Sequence, residues 1–128
     1  MKFTVLVVDD ERNIREGLAE ALALEGHAVA TAGDGEEALD VLGREEVDLV
    51  ITALRMPKLA GDQLLKRLTA DWPTVPVIML TGHGTIETAV QAMRDGAYDF
   101  LTKPVDLERL GLLVQRALAT RELSLQYR

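Results

Sequence analysis

Short apolar runs alternate with longer amphipathic segments along this chain of 128 residues. The runs at residues 3–8, 49–52 and 77–80 are apolar without alternation, which is typical of strands that are covered on both faces. The run at residues 98–101 predicts a further strand. The run at residues 28–31 has small or polar residues at alternate positions, which indicates a strand near the edge of a sheet.

Each predicted strand is followed by apolar residues at helical spacing, so the pattern predicts five helices. Gly26 and Gly96 are expected to end the first and fourth helices, Asp34-Gly35 and Gly61-Asp62 to start the second and third, and Thr85 to cap the fourth. The apolar positions of the five helices are, in order, Ile14, Leu18, Ala21, Leu22 and Leu24; Ala38, Leu39, Val41 and Leu42; Leu64, Leu65 and Leu68; Ala89, Val90, Ala92 and Met93; and, from Asp106 onward, Leu107, Leu110, Leu113, Val114, Ala117 and Leu118. Those of the fourth helix are expected to face inward.

Five strands that alternate with five helices predict an α/β fold, a flavodoxin-like (βα)5 doubly wound parallel sheet with strand order 2-1-3-4-5. We expect residues 1–120 to form this domain. The last helix carries no stop signal, and residues 121–128 are therefore interpreted as the start of a linker helix to an output domain outside this sequence.

Composition narrows the functional classes. Fourteen Lys and Arg residues against 21 Asp and Glu residues give a net charge of −7 and an isoelectric point near 4.8. Such a surface repels nucleic-acid phosphates and anionic lipids, so we expect this domain to bind neither nucleic acid nor membrane. The chain has no cysteine, which excludes disulfides and thiolate metal sites and is compatible with a cytoplasmic location.

Polar residues that suit phosphate chemistry fall at the carboxyl ends of the predicted strands. Asp9 and Asp10 follow strand one, Thr81 ends strand four, and Lys103 follows strand five. Two carboxylates suit a hard ion such as Mg²⁺, whereas a hydroxyl and an ammonium suit phosphoryl oxygens. A pair of acids alone would be better explained as the end of a strand and the cap of a helix, but four groups, each at the carboxyl end of a strand, strongly favour a functional site. Ala53, at the end of strand three, has no such chemistry.

The sequence resembles the receiver domain of bacterial two-component response regulators. The resemblance is carried by VLVVDDE at residues 5–11, DLVITALRMP at 48–57 together with Gly61, VIMLTG at 77–82 and GAYDFLTKP at 96–104. These stretches are spread over the whole chain in the order and spacing of that family.

The resemblance implies roles for individual residues. Asp10 would bind Mg²⁺ directly, Asp9 would assist through water, and the backbone carbonyl of Arg55 would be a further ligand. Lys103 would contact the phosphoryl group, and its bond to Pro104 would be a cis peptide. Thr81 and Phe100 would be the paired switch residues.

One position departs from the family pattern. The family has its phosphoacceptor aspartate immediately before Leu-x-Met-Pro, where this chain has Ala53. We therefore expect a non-enzymatic signalling domain that takes up no phosphoryl group and binds Mg²⁺ more weakly. The alanine is explained either by an engineered aspartate-to-alanine change or by a natural degenerate receiver that acts as a phosphorylation-independent interaction module. The otherwise intact motif favours the first explanation.

Within the family, the segments from Thr85 to Leu101 are most similar to the nitrogen-regulation type, which activates sigma-54 polymerase. This resemblance implies a sensor histidine kinase as partner and an attached output domain with AAA+ and DNA-binding parts. It also implies pairing of two receivers through helix four, strand five and helix five, for which Leu112, Leu113, Leu123 and Leu125 are candidates. Leu112 and Leu113 are equally explained as core residues.

Two other classes compete with this interpretation. A phosphohydrolase of the haloacid-dehalogenase type would need an Asp-x-Asp motif where this chain has Asp9-Asp10-Glu11. A flavodoxin-like nucleotide binder would need phosphate-binding amides in the first loop, and three carboxylates there would repel a phosphate.

Overall fold

The computed structural model describes residues 2–82 and 86–126. The predicted cap Thr85 lies outside these residues, as do residues 127 and 128 of the predicted linker. The elements are β1 (Thr4–Val8), α1 (Arg12–Leu24), β2 (Ala28–Ala32), α2 (Gly35–Arg44), β3 (Leu49–Ala53), α3 (Gly61–Asp71), β4 (Val77–Thr81), α4 (Ile86–Arg94), β5 (Asp99–Thr102) and α5 (Leu107–Gln126). None of the helices described is long and apolar enough for a membrane crossing.

The five strands form one parallel sheet in the order β2-β1-β3-β4-β5, which confirms the predicted fold class and topology. Val8 pairs with Thr52, and Ala53 pairs with Leu80. Thr81 pairs with Thr102. Because the strands are parallel and in level register, their carboxyl ends meet along one side of the sheet, which we call the carboxyl edge.

The core has two parts, one on each face of the sheet. Helices α2, α3 and α4 cover one face, where residues such as Val50 and Met79 are fully buried. Helices α1 and α5 cover the other face, over residues such as Ile51 and Leu80. Burial on both faces explains why β1, β3 and β4 are apolar without alternation.

Two apolar residues of α4 that were predicted to face inward, Val90 and Met93, are exposed, and these two predictions were wrong. Val90 and Met93 of α4 are each 42% exposed, and the buried residues of that helix are the small residues Ala89 and Ala92. Two further apolar residues, Leu24 in the last turn of α1 and Leu107 in the first turn of α5, are 82% and 53% exposed.

A buried arginine near the end of α5 forms hydrogen bonds with residues near the amino ends of the strands. The Arg121 guanidinium donates from Nε to Asp48 (3.1 Å) and from Nη1 to the Thr74 hydroxyl (2.6 Å), and it lies 3.5 Å from a Glu46 oxygen. Asp48 also accepts the backbone N–H of Thr4 (2.9 Å). Helix α5 runs unbroken past residue 120, and the packing of the domain therefore includes Arg121.

We expect Arg121→Ala to lower the free energy of unfolding by about 3 kcal/mol, because it leaves the charge of the buried Asp48 carboxylate without its cation. Urea denaturation followed by circular dichroism measures this change. Arg116→Ala, at an exposed position on the same helix, is the matched control and should change stability by less than about 0.5 kcal/mol. Equal effects of the two substitutions would contradict the proposed role of the ion pair.

Candidate functional site

Asp9 lies at the centre of the carboxyl edge and is completely buried. Its backbone N–H donates to the Ala32 carbonyl at the end of β2 (3.1 Å), which extends the β1–β2 pairing by one bond. Its Oδ1 accepts the backbone N–H of Glu11 (2.9 Å), so the turn into α1 closes on this carboxylate. Asp10 is exposed beside it.

Lys103 neutralises the buried charge of Asp9. Its Nζ lies 2.8 Å from Asp9 Oδ2 and 3.4 Å from a Glu11 carboxylate oxygen. Burial lowers the pKa of Lys103, but its hydrogen bond and ion pair with Asp9 and its attraction to Glu11 outweigh this, so that the pKa lies above its usual value. The Lys103 backbone N–H donates to the Thr81 carbonyl (2.8 Å), and the Lys103–Pro104 peptide bond is cis.

Thr81 is buried, and its hydroxyl lies on the other face of the sheet from the Ala53 side chain. Ala53 pairs with Leu80, and side chains alternate along a strand, so Thr81 faces the α4 side. Its Oγ1 is 3.4 Å from the Leu101 carbonyl, and it lines a groove with Phe100 and the exposed residues of α4. The described contacts of this hydroxyl are therefore with β5 and α4 rather than with Asp9 and Lys103.

The loop after β3, residues 54–60, is held in place by two glycines. A Cβ atom on Gly61 would overlap the Ala53 carbonyl oxygen, and one on Gly35 would overlap the Leu59 carbonyl oxygen. The Gly61 N–H donates to the Leu54 carbonyl (2.8 Å). The absence of side chains at Gly35 and Gly61 therefore sets how closely this loop approaches the carboxyl edge.

A hard cation fits part of this edge. Asp9 Oδ2 is buried, and its described partner is the Lys103 ammonium at 2.8 Å. Asp10 supplies a second carboxylate, and Arg55 lies in the loop held by the glycines. Within residues 2–82 and 86–126, no group of three or more His, Cys, Asp or Glu side chains is placed to hold a metal ion. A cation here would keep several waters, as Mg²⁺ commonly does.

Sequence reasoning missed one residue at this edge, Arg15. Its Nη1 donates to the backbone carbonyl of Asp9 (2.7 Å) from the second turn of α1. Nothing in the sequence distinguishes it from the nearby Arg12, which is exposed and paired with Glu16 (2.9 Å). Only the direction of the side chain separates the two arginines.

Comparison with known proteins identifies this arrangement. Residues 5–115 match the response regulator receiver domain family over most of the chain. The chain belongs to this family. The match includes the five strands, except for the first residue of β1, and the residues of the carboxyl edge.

Relatives of this receiver domain are regulatory proteins and their receivers. It is 40% identical to regulatory protein AtoC of Escherichia coli (strain K12) over 97% of its length and 27% of that protein. It superposes on NtrX from Brucella abortus with a TM-score of 0.92 and 42% identity, over 99% of this chain and 29% of that one. For a receiver domain protein from Clostridium thermocellum the TM-score is 0.89 and the identity 35%, over 94% and 98% of the two chains. The receiver domain thus spans about a quarter of the length of the curated relatives.

We expect Gly61→Ala to destabilise the receiver domain by about 2 kcal/mol, because the added methyl group overlaps backbone atoms at the end of β3. The control is Gly17→Ala in α1, where a Cβ atom meets nothing within 4 Å. This substitution should raise stability by up to about 1 kcal/mol, since alanine is the better helix former. Urea denaturation measures both changes, and a stabilising effect of Gly61→Ala would refute the close packing described above.

Proposed function

We propose that this receiver domain takes up no phosphoryl group, because Ala53 occupies the phosphoacceptor position. The observation that supports this is the place of Ala53 at the end of β3. Since Val8 pairs with Thr52, Ala53 is level with Asp9 at the carboxyl edge. Its methyl group has no lone pair to attack phosphorus. The neighbouring Thr52 does not replace it, because its buried hydroxyl is on the opposite face and donates to the Ala53 carbonyl (3.0 Å).

We also propose that Mg²⁺ binds at this edge through Asp9, Asp10 and the carbonyl of Arg55, with lower affinity than in a receiver that has the third carboxylate. When bound, the ion offsets the charge of the acids and attracts phosphoryl oxygens. The buried Oδ2 of Asp9, a carboxylate oxygen at this edge, supports this assignment. Lys103 holds the Asp9 carboxylate in place and presents its ammonium at the same edge.

The resting conformation is proposed to dominate in this chain. Thr81 and Phe100 both line the groove beside α4, and the hydroxyl of Thr81 is engaged with β5. In a phosphorylated receiver, phosphoryl oxygens would favour a conformation in which Thr81 turns toward the acids and Phe100 turns inward. Without an attached phosphoryl group that conformation gains no stabilisation, so its population stays low.

The proposed cellular role is regulation of an attached output domain under a sensor histidine kinase in the cytoplasm. Relatives such as the transcriptional regulatory protein GlrR of Escherichia coli (strain K12), 46% identical over 114 residues, support a role in transcription. From the resemblance to the nitrogen-regulation type, the output is proposed to contain an AAA+ ATPase that activates sigma-54 polymerase and a DNA-binding domain. A chain that spans about a quarter of such relatives is consistent with an attached output domain.

A second role is proposed for the face formed by α4, β5 and α5, namely pairing with another receiver. Ile86 is 83% exposed, and Val90 and Met93 lie beside it on α4. On α5, Leu112 and Leu123 are 53% and 55% exposed. Leu113 is buried and belongs to the core, so it is no longer a candidate for this interface. An exposed apolar face also supports the alternative of a natural receiver that acts by binding alone, independently of phosphorylation.

Restoring the carboxylate should restore the chemistry. In Ala53→Asp treated with acetyl phosphate and Mg²⁺, an aspartate oxygen forms a bond to phosphorus as the bond to the acetate oxygen breaks. Intact mass spectrometry should then show one added phosphoryl group, whereas the unaltered chain should show none. Ala53→Asn, similar in shape but without the nucleophilic carboxylate, is the matched control and should also stay unmodified. A phosphoryl group on the alanine form would overturn the proposal.

Pairing through α4 is tested by sedimentation velocity at several protein concentrations. We expect Ile86→Ser to weaken self-association by about 10-fold, because a serine at the centre of a contact loses apolar burial. Leu24→Ser, with nearly the same exposure of 82% at the end of α1, should leave the association unchanged. A chain that stays monomeric at the highest concentration, or equal effects of the two substitutions, would contradict this interface.

A further inference from the structure

We propose that Arg15 is a positioning residue for the acidic pair at the carboxyl edge. It would act through the backbone and contact neither metal nor phosphate. This inference rests on the Mg²⁺ site proposed above and assigns one more residue to it. The carbonyl that accepts the Arg15 guanidinium belongs to Asp9, and it forms the peptide group that leads into Asp10.

The orientation of the peptide group between Asp9 and Asp10 depends on the side chain of Arg15. Strand β1 ends at Val8, and the last bond between β1 and β2 uses the N–H of Asp9. Helix α1 begins only at Arg12. The Asp9 carbonyl therefore lies between two regular elements, and Arg15 supplies its hydrogen bond at 2.7 Å. Because the carboxylate of Asp10 is exposed, its direction depends on this peptide plane.

Arg15 is itself held in place. The side chain is partly buried, and its Nη1 lies against Gly33, where a Cβ atom would be 3.4 Å away. The Gly33 N–H donates to the carboxylate of Glu37 (2.8 Å). The guanidinium thus lies between the loop after β1 and the loop after β2, and a planar group with several donors suits such a bridge.

Two effects of Arg15 on Mg²⁺ binding have opposite signs. As a nearby cation it repels Mg²⁺, so removal of the charge alone would tighten binding. As a positioning group it holds the ligands in a productive arrangement, so its removal would weaken binding. Residues that orient metal ligands typically contribute about 10- to 100-fold to metal affinity. The positioning effect is therefore expected to exceed the repulsion between Mg²⁺ and a guanidinium that is only partly buried, since solvent and salt screen this repulsion.

Arg12 provides the matched control. It lies one turn earlier on α1, and its side chain is exposed and paired with Glu16 instead of the loop. Arg12→Ala and Arg15→Ala each remove one positive charge near the acids. Only Arg15→Ala removes the hydrogen bond to the Asp9 carbonyl.

The test is calorimetric titration with MgCl₂ in the unaltered chain and in Ala53→Asp, each with either arginine substitution. We expect Arg15→Ala to weaken Mg²⁺ binding about 10-fold in both backgrounds. Arg12→Ala should leave it unchanged or slightly tighter. Arg15→Lys, which keeps the charge but loses the planar guanidinium, should fall between Arg15→Ala and the parent. Circular dichroism checks that each variant is folded, and Arg15→Gln replaces Arg15→Ala should the latter unfold.

The possible results distinguish a failure of the positioning role of Arg15 from a failure of the proposed Mg²⁺ site. Mg²⁺ binding that responds equally to both alanine substitutions would overturn the positioning role and leave the metal site intact. Tighter Mg²⁺ binding by Arg15→Ala would also overturn the positioning role, because removal of the positive charge alone is expected to tighten binding. No Mg²⁺ binding in either background would overturn the proposed metal site, and the role of Arg15 with it.

Discussion

The need to neutralise one buried carboxylate organises the carboxyl edge of this domain. An ionised Asp9 without a partner would cost several kcal/mol, and its cation comes from the loop after β5, three strands away in the sheet. Lys103 is close to the Asp9 carboxylate because the strands end at the same level and because the Lys103 backbone N–H is hydrogen-bonded to the end of β4. The register of the sheet and the charge balance of the edge therefore depend on each other.

The edge keeps its architecture although position 53 carries a methyl group. Ala53 is buried, so a small apolar side chain there is well accommodated. The surrounding contacts use backbone atoms or other side chains, namely the packing of Gly61, the pair of Asp9 and Lys103, and the bond from Arg15. The contacts that support this edge therefore do not require a carboxylate at position 53.

Much of the fold followed from the sequence, since apolar runs and glycine stops identify strands and helix ends directly. Gly26 ends α1 with a φ of +94°, a backbone conformation that favours glycine. Periodicity failed where it placed Val90 and Met93 inward, because it gives the face of a helix and not whether a neighbour covers that face. It also could not give the orientation of Thr81 or Arg15, which depends on contacts between distant segments.

Arg121 has a consequence for how freely the last helix can rotate. A leucine at this position could pack in several rotational settings of α5 with little difference in energy, since dispersion contacts have no preferred direction. The guanidinium instead donates to acceptors from the segments before β3 and before β4, and hydrogen bonds from its planar group depend on direction. The hydrogen bonds of Arg121 therefore favour one rotation of the last turns of α5 about the helix axis. A partner that contacts this end of the helix would meet it in a defined orientation.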